Sequence, residues 1–431
     1  MESTGPTTAD AATFTPGYRR YALGLLTAVY VFNFIDRQIV VILQESIKQD
    51  LGLMDWQLGL LSGFAFAVFY VTLGIPIAQW ADRGNRRTII ALALAVWSAM
   101  TTLCGTVQVY WQLLLARIGV GVGEAGCSPP AHSIISDMYP PNERATALSV
   151  YNVGIYLGVF VGFLAGGWIN QIFGWREAFL VVGLPGVLFA VIVRLTLKEP
   201  PRGMSEKLAK ASDAPPLGDV FRLLWSRRSF RHLSIAAGLH AFVSYGVGGW
   251  MPSFLIRSHG LETGEVSNWL APIAAVCGGF GAYFGGWITD RYGLRDLRWY
   301  VWIPATAILV SVPLQVLVYV QQDHVIALSI YTIPVLLGAT YLGPMLALTH
   351  GLVAPRMRAV ASSVLFFVLN LIGLGLGPWL TGILSDVLTV TEGTEGLRYA
   401  LIVVTLVNLW CAVHYFAGAR NLRADVAGAP K

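Results

Sequence analysis

The sequence predicts an all-α integral membrane protein with twelve transmembrane helices in two six-helix bundles. Three observations carry that expectation. The 431 residues are 55% hydrophobic and only 12% charged, with a mean hydropathy of +0.62, more apolar than a soluble core requires. Apolar windows of about 20 residues, long enough to cross the hydrocarbon at about 1.5 Å per residue, recur along the whole chain. Two loop motifs occur twice in the same order, at offsets of 208 and 214 residues.

The elements follow in order. Residues 1–17 lack a short apolar core followed by a cleavage site, so they read as a tail and not as a signal peptide. Six spans are expected over 21–43, 57–80, 88–107, 111–138, 145–170 and 177–197, forming an N-terminal bundle over 18–197. The longest polar stretch, 198–230, reads as a linker in which GDVFRLLW has the pattern of a short interfacial helix. Six more spans, over 231–255, 266–289, 299–320, 325–350, 359–386 and 398–418, form a C-terminal bundle over 231–418, followed by a tail over 419–431. In span five Gly154, Gly158, Gly162 and Gly166 recur every fourth residue, a ridge that lets another helix approach closely. Gly373, Gly375, Gly377 and Pro378 mark a kink in span eleven.

Charge sets the orientation. With both tails, the linker and alternate loops on one side, 23 of the 29 basic residues lie there; four lie opposite, and Arg37 and Arg117 lie within spans. The positive-inside rule then makes both termini cytoplasmic, as an even number of spans requires. The net charge of +5 comes from short loops and not from a basic stripe, which argues against nucleic-acid binding. Cys104, Cys127, Cys277 and Cys411 lie in apolar segments without metal-ligand spacing, and His132, His240 and His350 fall on different spans, so neither metal nor cofactor is expected. No P-loop is present to hydrolyse ATP, and no convergent nucleophile and base suggest an enzyme.

The repeated motifs indicate duplication of a six-helix unit. ADRGNRR follows span two and GWITDRYGLR follows span eight, while PNERATA precedes span five and PRMRAVA precedes span eleven. The G-x-x-x-D-R-x-G-x-R pattern is complete in the second copy; in the first, Ala78 replaces the leading Gly and the turn reads Gly84-Asn85. This pattern resembles the signature loop of the major facilitator superfamily, and Arg117, Gly121 and Gly123 resemble its fourth-helix motif. FNFIDRQIVV, GVGEAG and GGWMPSFLIR are similar to the Spinster family of lysolipid and sphingolipid transporters. The resemblance implies a secondary transporter working by alternating access. It also implies a latch on the cytoplasmic side, for which Asp82, Arg83, Arg144, Asp290, Arg291 and Arg358 match the motifs.

The residues themselves place a site in the N-terminal half. Asp36 and Arg37 lie inside span one, where each charge costs roughly 3 kcal/mol on insertion scales and persists mainly where it faces a bundle interior or an aqueous cavity. Adjacent on a helix, they point about 100° apart and cannot neutralise each other. Glu124 in the antiparallel span four is the expected partner of Arg37, and Arg117 in the same span is expected to pair or to cap carbonyls. A buried carboxylate beside an arginine can exchange its proton as its surroundings change, so protonation of Asp36 or Glu124 would free Arg37 for an anionic headgroup. Asn33, Asn152, His240, Tyr245 and Asn370 are candidate cavity-lining groups. The expected partners are a small amphipathic substrate, protons and membrane lipids, for a protein acting as a monomer in a plasma or inner membrane. An organic-anion symporter of sugar-acid type is the alternative.

Overall fold

A computed structural model describes residues 14–204, 216–354 and 357–430, without the side chains of Ile75, Asp82 and Leu217. Twelve membrane-length helical elements run through them. Nine segments are long and apolar enough by length and composition to cross a membrane, and one of these, Arg358–Ala427, contains spans eleven and twelve. Spans four and seven complete the set. Span four is broken into Tyr110–Glu124 and Ser128–Met138, because Pro129 and Pro130 cannot donate backbone N–H groups to the preceding turn. Span seven, Arg228–His259, is a continuous helix that includes polar residues such as His240 and Ser253.

Local chemistry sets the helix ends. Span one, Pro16–Leu51, starts where the Thr15 hydroxyl accepts from Tyr18 N–H and Pro16 takes the first turn, and ends at Gly52 with φ 62°. Its 36 residues extend about 54 Å, well past a hydrocarbon core of about 30 Å. Span three, Arg86–Cys104, is capped by the Asn85 side chain. Spans two, eight and eleven each contain a π turn, at Leu60–Phe64, Ile273–Cys277 and Leu369–Leu376. The glycine-rich kink expected in span eleven takes this form.

Two expected boundaries move. The last span does not stop near residue 418: its helix runs Gly396–Ala427. Arg423 bonds both oxygens of Asp296, the Asp425 carboxylate caps Ser229 N–H, and the Gly428 carbonyl accepts from Arg227, so this tail is docked as helix. Asp296 lies outside the spans, and hydrogen bonds from Arg298 and then Arg423 hold its carboxyl down at about 2. In the linker, residues 205–215 lie outside the described set, while Leu217–Ser226 is a helix. Its Val220 and Leu224 are buried against Phe230, Leu352 and Val364, joining the ends of spans seven, ten and eleven.

Close packing explains the glycine ridge. Span five, Pro141–Phe173, lies along span one, and a Cβ at Gly158 would stand 2.6 Å from both the Val31 carbonyl and the Phe34 Cβ. The other three ridge glycines meet Thr27, Gln38 and Ile42 in the same way. Gly158→Val is therefore expected to push span one outward and to cost about 2 kcal/mol or more. A lowered thermal midpoint in detergent checks this, and an unchanged midpoint would contradict it.

The two bundles interlock at the end opposite the chain termini. There Gly59 and Gly63 of span two sit directly against the backbone of span eleven, and Gly167 of span five sits against Thr263 and Ser267 of span eight. Within the C-terminal bundle, Trp250 of span seven donates its indole N–H to the Pro378 carbonyl at 2.8 Å, fixing the stretch of span eleven that Gly59 meets. At the terminal end, the described ion pairs each stay within one half. Buried Arg86 ties span three to Asp137 of span four and to Glu199 beyond span six, and Asp296 ties its loop to span twelve.

Candidate functional site

Between the bundles lies a cavity of about 390 Å³ whose walls come from both halves. Span one supplies Phe34, Arg37, Gln38 and Val41, the π turn of span two supplies Ser62, and span seven supplies His240, Ser244 and Tyr245. Apolar side chains such as Val159, Phe163, Met251 and Leu270 fill the space between these polar groups. Charge is confined to the N-terminal wall, where Arg37 and Arg117 reach the cavity.

Arg37 bonds the Glu124 carboxylate through Nε at 2.7 Å, with the glutamate side chain 0% and the arginine side chain 16% exposed. The difference matters: the acid is sealed inside while the guanidinium keeps an open edge on the cavity. Glu124 is the last residue of Tyr110–Glu124, where the helix dipole opposes a negative charge, so its ionised form depends on Arg37. The guanidinium also sits 4.8 to 5.1 Å from the ring centres of Tyr70, Phe34 and Phe66, an aromatic collar that favours a cation without hydrogen-bonding it.

Asp36 points away from this pair, into the N-terminal bundle. It is buried, with Thr101 and Trp97 of span three turned toward its carboxyl. Arg117 approaches it from span four, donating Nη1 to the Asp36 main-chain carbonyl at 3.3 Å. Trp97, Ser98 and Thr101 of span three are buried too. The result is a polar pocket within the bundle, one helix face removed from the cavity. A buried carboxylate costs free energy even where hydroxyl and indole groups surround it.

The remaining candidates divide. His240 and Tyr245 line the cavity. The His240 ring is held by Asn408 at 3.1 Å and the Gly338 carbonyl at 2.9 Å, pinning spans seven, ten and twelve together. The three asparagines do not form the wall. Asn33 is buried inside the N-terminal bundle, and Asn152 is exposed, on the side of span five away from the ridge that faces span one. Asn370 lies in the π turn of span eleven, which adds a residue to the turn and leaves Leu374 and Pro378 on the wall instead.

The latch candidates are spread over the terminal end. Asp290 accepts from the Tyr300 hydroxyl at 2.7 Å, Arg291 lies over the Trp287 ring, and Arg144 donates to the Ser136 carbonyl. Arg83 and Arg358 are exposed, and the Asp82 side chain lies outside the described set.

Sequence reasoning missed a second charged cluster, at the joined end. Arg257 of span seven bonds Glu45 of span one at 2.8 Å and both oxygens of Asp55, at the start of span two, at 2.7 and 2.8 Å. Lys48 and Ser385 also bond Asp55, at 2.5 and 2.6 Å. Asp386 of span eleven caps the N–H groups of Asp55 and Trp56 at the start of span two. The available signal was that Lys48 and Arg257 are two of only four basic residues on that side.

Two six-helix bundles, joined at one end and sharing a central charged cavity, define a membrane carrier. The Major Facilitator Superfamily profile matches residues 26–378, and the chain belongs to that superfamily. It is 35% identical over 411 residues to an MFS-type efflux pump of Mycolicibacterium smegmatis, covering 94% of each chain. It is 28% identical to the sphingosine-1-phosphate transporter of Mus musculus over 94% of this chain and 78% of that one. A bacterial homologue of the human lysosomal transporter Spinster, crystallised inward-facing and unoccupied, superposes with a TM-score of 0.89 at 34% identity, over 96% of this chain and 99% of that one. Within the superfamily the chain is Spinster-like.

Proposed function

We propose that this protein is a proton-coupled secondary transporter that moves an amphipathic anionic or zwitterionic lipid, of lysophospholipid or sphingolipid type, by alternating access. One observation carries the reading: the Arg37–Glu124 pair, 2.7 Å long, presents its cation to a cavity that is otherwise largely apolar. An anionic headgroup fits the open edge of the guanidinium, and a hydrocarbon chain fits the surface formed by Val159, Phe163, Met251 and Leu270. A proton taken up by Glu124 removes the charge that holds Arg37 and frees it for the headgroup. Release of the cargo returns Arg37 to Glu124 and expels the proton. Behind this pair Arg117 holds the Asp36 main-chain carbonyl, placing a second guanidinium and a second buried acid close to Glu124.

The termini are assigned to the cytoplasm by the distribution of Lys and Arg, so the joined end is the outer one and the cavity faces inward. On that assignment Asp82, Arg83, Arg144, Asp290, Arg291 and Arg358 lie at the cytoplasmic end and are the candidates to latch the halves when the carrier opens outward. The name of the sphingosine-1-phosphate transporter supports a lipid cargo.

Purified protein in liposomes, with and without a pH gradient, tests the reading. Movement of a single-chain lysophospholipid is expected, faster with the gradient. If a sugar acid alone moves, the organic-anion reading replaces this one. If the lipid moves at the same rate with and without the gradient, the proton step is wrong.

A further inference from the structure

The C-terminal wall of the cavity carries no charge to match Arg37. It offers neutral hydrogen-bonding groups instead, and several already have partners. His240 and Asn408 hold each other, and the Ser311 hydroxyl donates to the Ile308 carbonyl at 2.7 Å. Gln315 stands apart. It lies one helical turn beyond Ser311 on span nine, Trp299–Val320, lines the cavity and is only 8% exposed. Its carboxamide oxygen has no hydrogen-bond partner among the described residues. A packed apolar residue would serve the fold better, because an unsatisfied amide in a membrane interior costs free energy. The side chain thus stands at the cavity wall with an amide whose bonding the protein leaves incomplete, and a turn of that amide offers it to whatever fills the cavity.

We infer that Gln315 is a cargo-recognition residue that hydrogen-bonds a hydroxyl of the transported amphiphile, while Arg37 holds the anionic group from the opposite wall. This inference rests on the lipid reading above and narrows it. A carboxamide offers an acceptor oxygen and two donors, and a hydroxyl both donates and accepts, so the two match whichever way the amide is turned. The favoured cargo class is an anionic single-chain lipid with a free hydroxyl near its headgroup, in preference to one of equal charge and chain length without it.

A matched pair of probes tests this on the full-length protein in detergent: 1-oleoyl-glycerol 3-phosphate and its 2-deoxy analogue, with binding followed by intrinsic tryptophan fluorescence. The hydroxyl-bearing probe is expected to bind about three- to tenfold more tightly, the range for one net hydrogen bond. In Gln315→Met, which keeps the volume and removes the amide, both probes are expected to bind as the deoxy probe binds the unaltered protein. Unchanged binding of the deoxy probe shows that the variant is folded. Gln315→Glu keeps an acceptor and is expected to keep the preference. Equal binding of the two probes to the unaltered protein, or full preference in Gln315→Met, overturns the assignment of Gln315 and leaves the lipid reading standing, provided that binding still depends on Arg37. Failure of both probes to bind overturns the lipid reading and this inference together.

Discussion

Arg37→Met is expected to reduce transport at least about 100-fold and to destabilise the protein by roughly 3 to 5 kcal/mol, because it strands Glu124 as an uncompensated buried charge. The two effects have separate origins, and a second variant separates them. In Arg37→Met/Glu124→Met both charges are gone, and two apolar side chains of suitable length fill the space between spans one and four. Replacing a buried ion pair in this way is often neutral for stability or better. The double variant should therefore regain its thermal midpoint while transport stays lost. A purely structural pair would behave otherwise, with stability and transport recovering together. Uptake into liposomes and thermal unfolding in detergent, measured on the same preparations, give the two readouts. Undiminished transport by Arg37→Met would remove the basis of the proposed mechanism.

The parts of this site that were legible in the sequence are those with strong one-dimensional signals. Asp36 and Arg37 stand out because charge inside an apolar window is expensive. Glu124 could be named because two antiparallel spans and one buried cation leave few partners. The repeats were visible as motifs, and the glycine ridge as a four-residue period. Contacts between the halves were not visible, because nothing in a local pattern says which loop meets which. Asp55 and Asp386 look like ordinary charges at helix ends, yet Asp55 is 1% exposed in its side chain and bonded from three spans. The asparagines failed for a related reason. An apolar window does not say which face of a helix meets the cavity, and the π turn in span eleven shifts the facing residues by one position. The same limit hid Gln315, one polar residue in a window that reads as plain membrane helix.

Arg257→Gln is expected to raise the share of the protein open at the joined end at least about tenfold, equivalent to about 1.4 kcal/mol. Arg257 bridges Glu45 and Asp55 across the line where the halves meet, and with it absent Lys48 alone compensates two carboxylates. With the joined end closed these acids stay buried, so the loss falls on that state. Opening of the joined end lets water reach them and relieves it. Glu45→Gln should shift the balance less, because Asp55 retains both arginine bonds. The shift is measurable with spin labels at Val109 and Thr391, on opposite halves beside the joined end, once the partly accessible Cys277 is replaced; Cys104, Cys127 and Cys411 are buried. A longer-distance population should grow in Arg257→Gln and grow less in Glu45→Gln. Transport should fall in both, because a carrier biased toward one face completes fewer cycles. If the distance distribution of Arg257→Gln matches that of the unaltered protein, the cluster is a surface ornament and the halves are held by the glycine-to-backbone contacts of spans two and eleven.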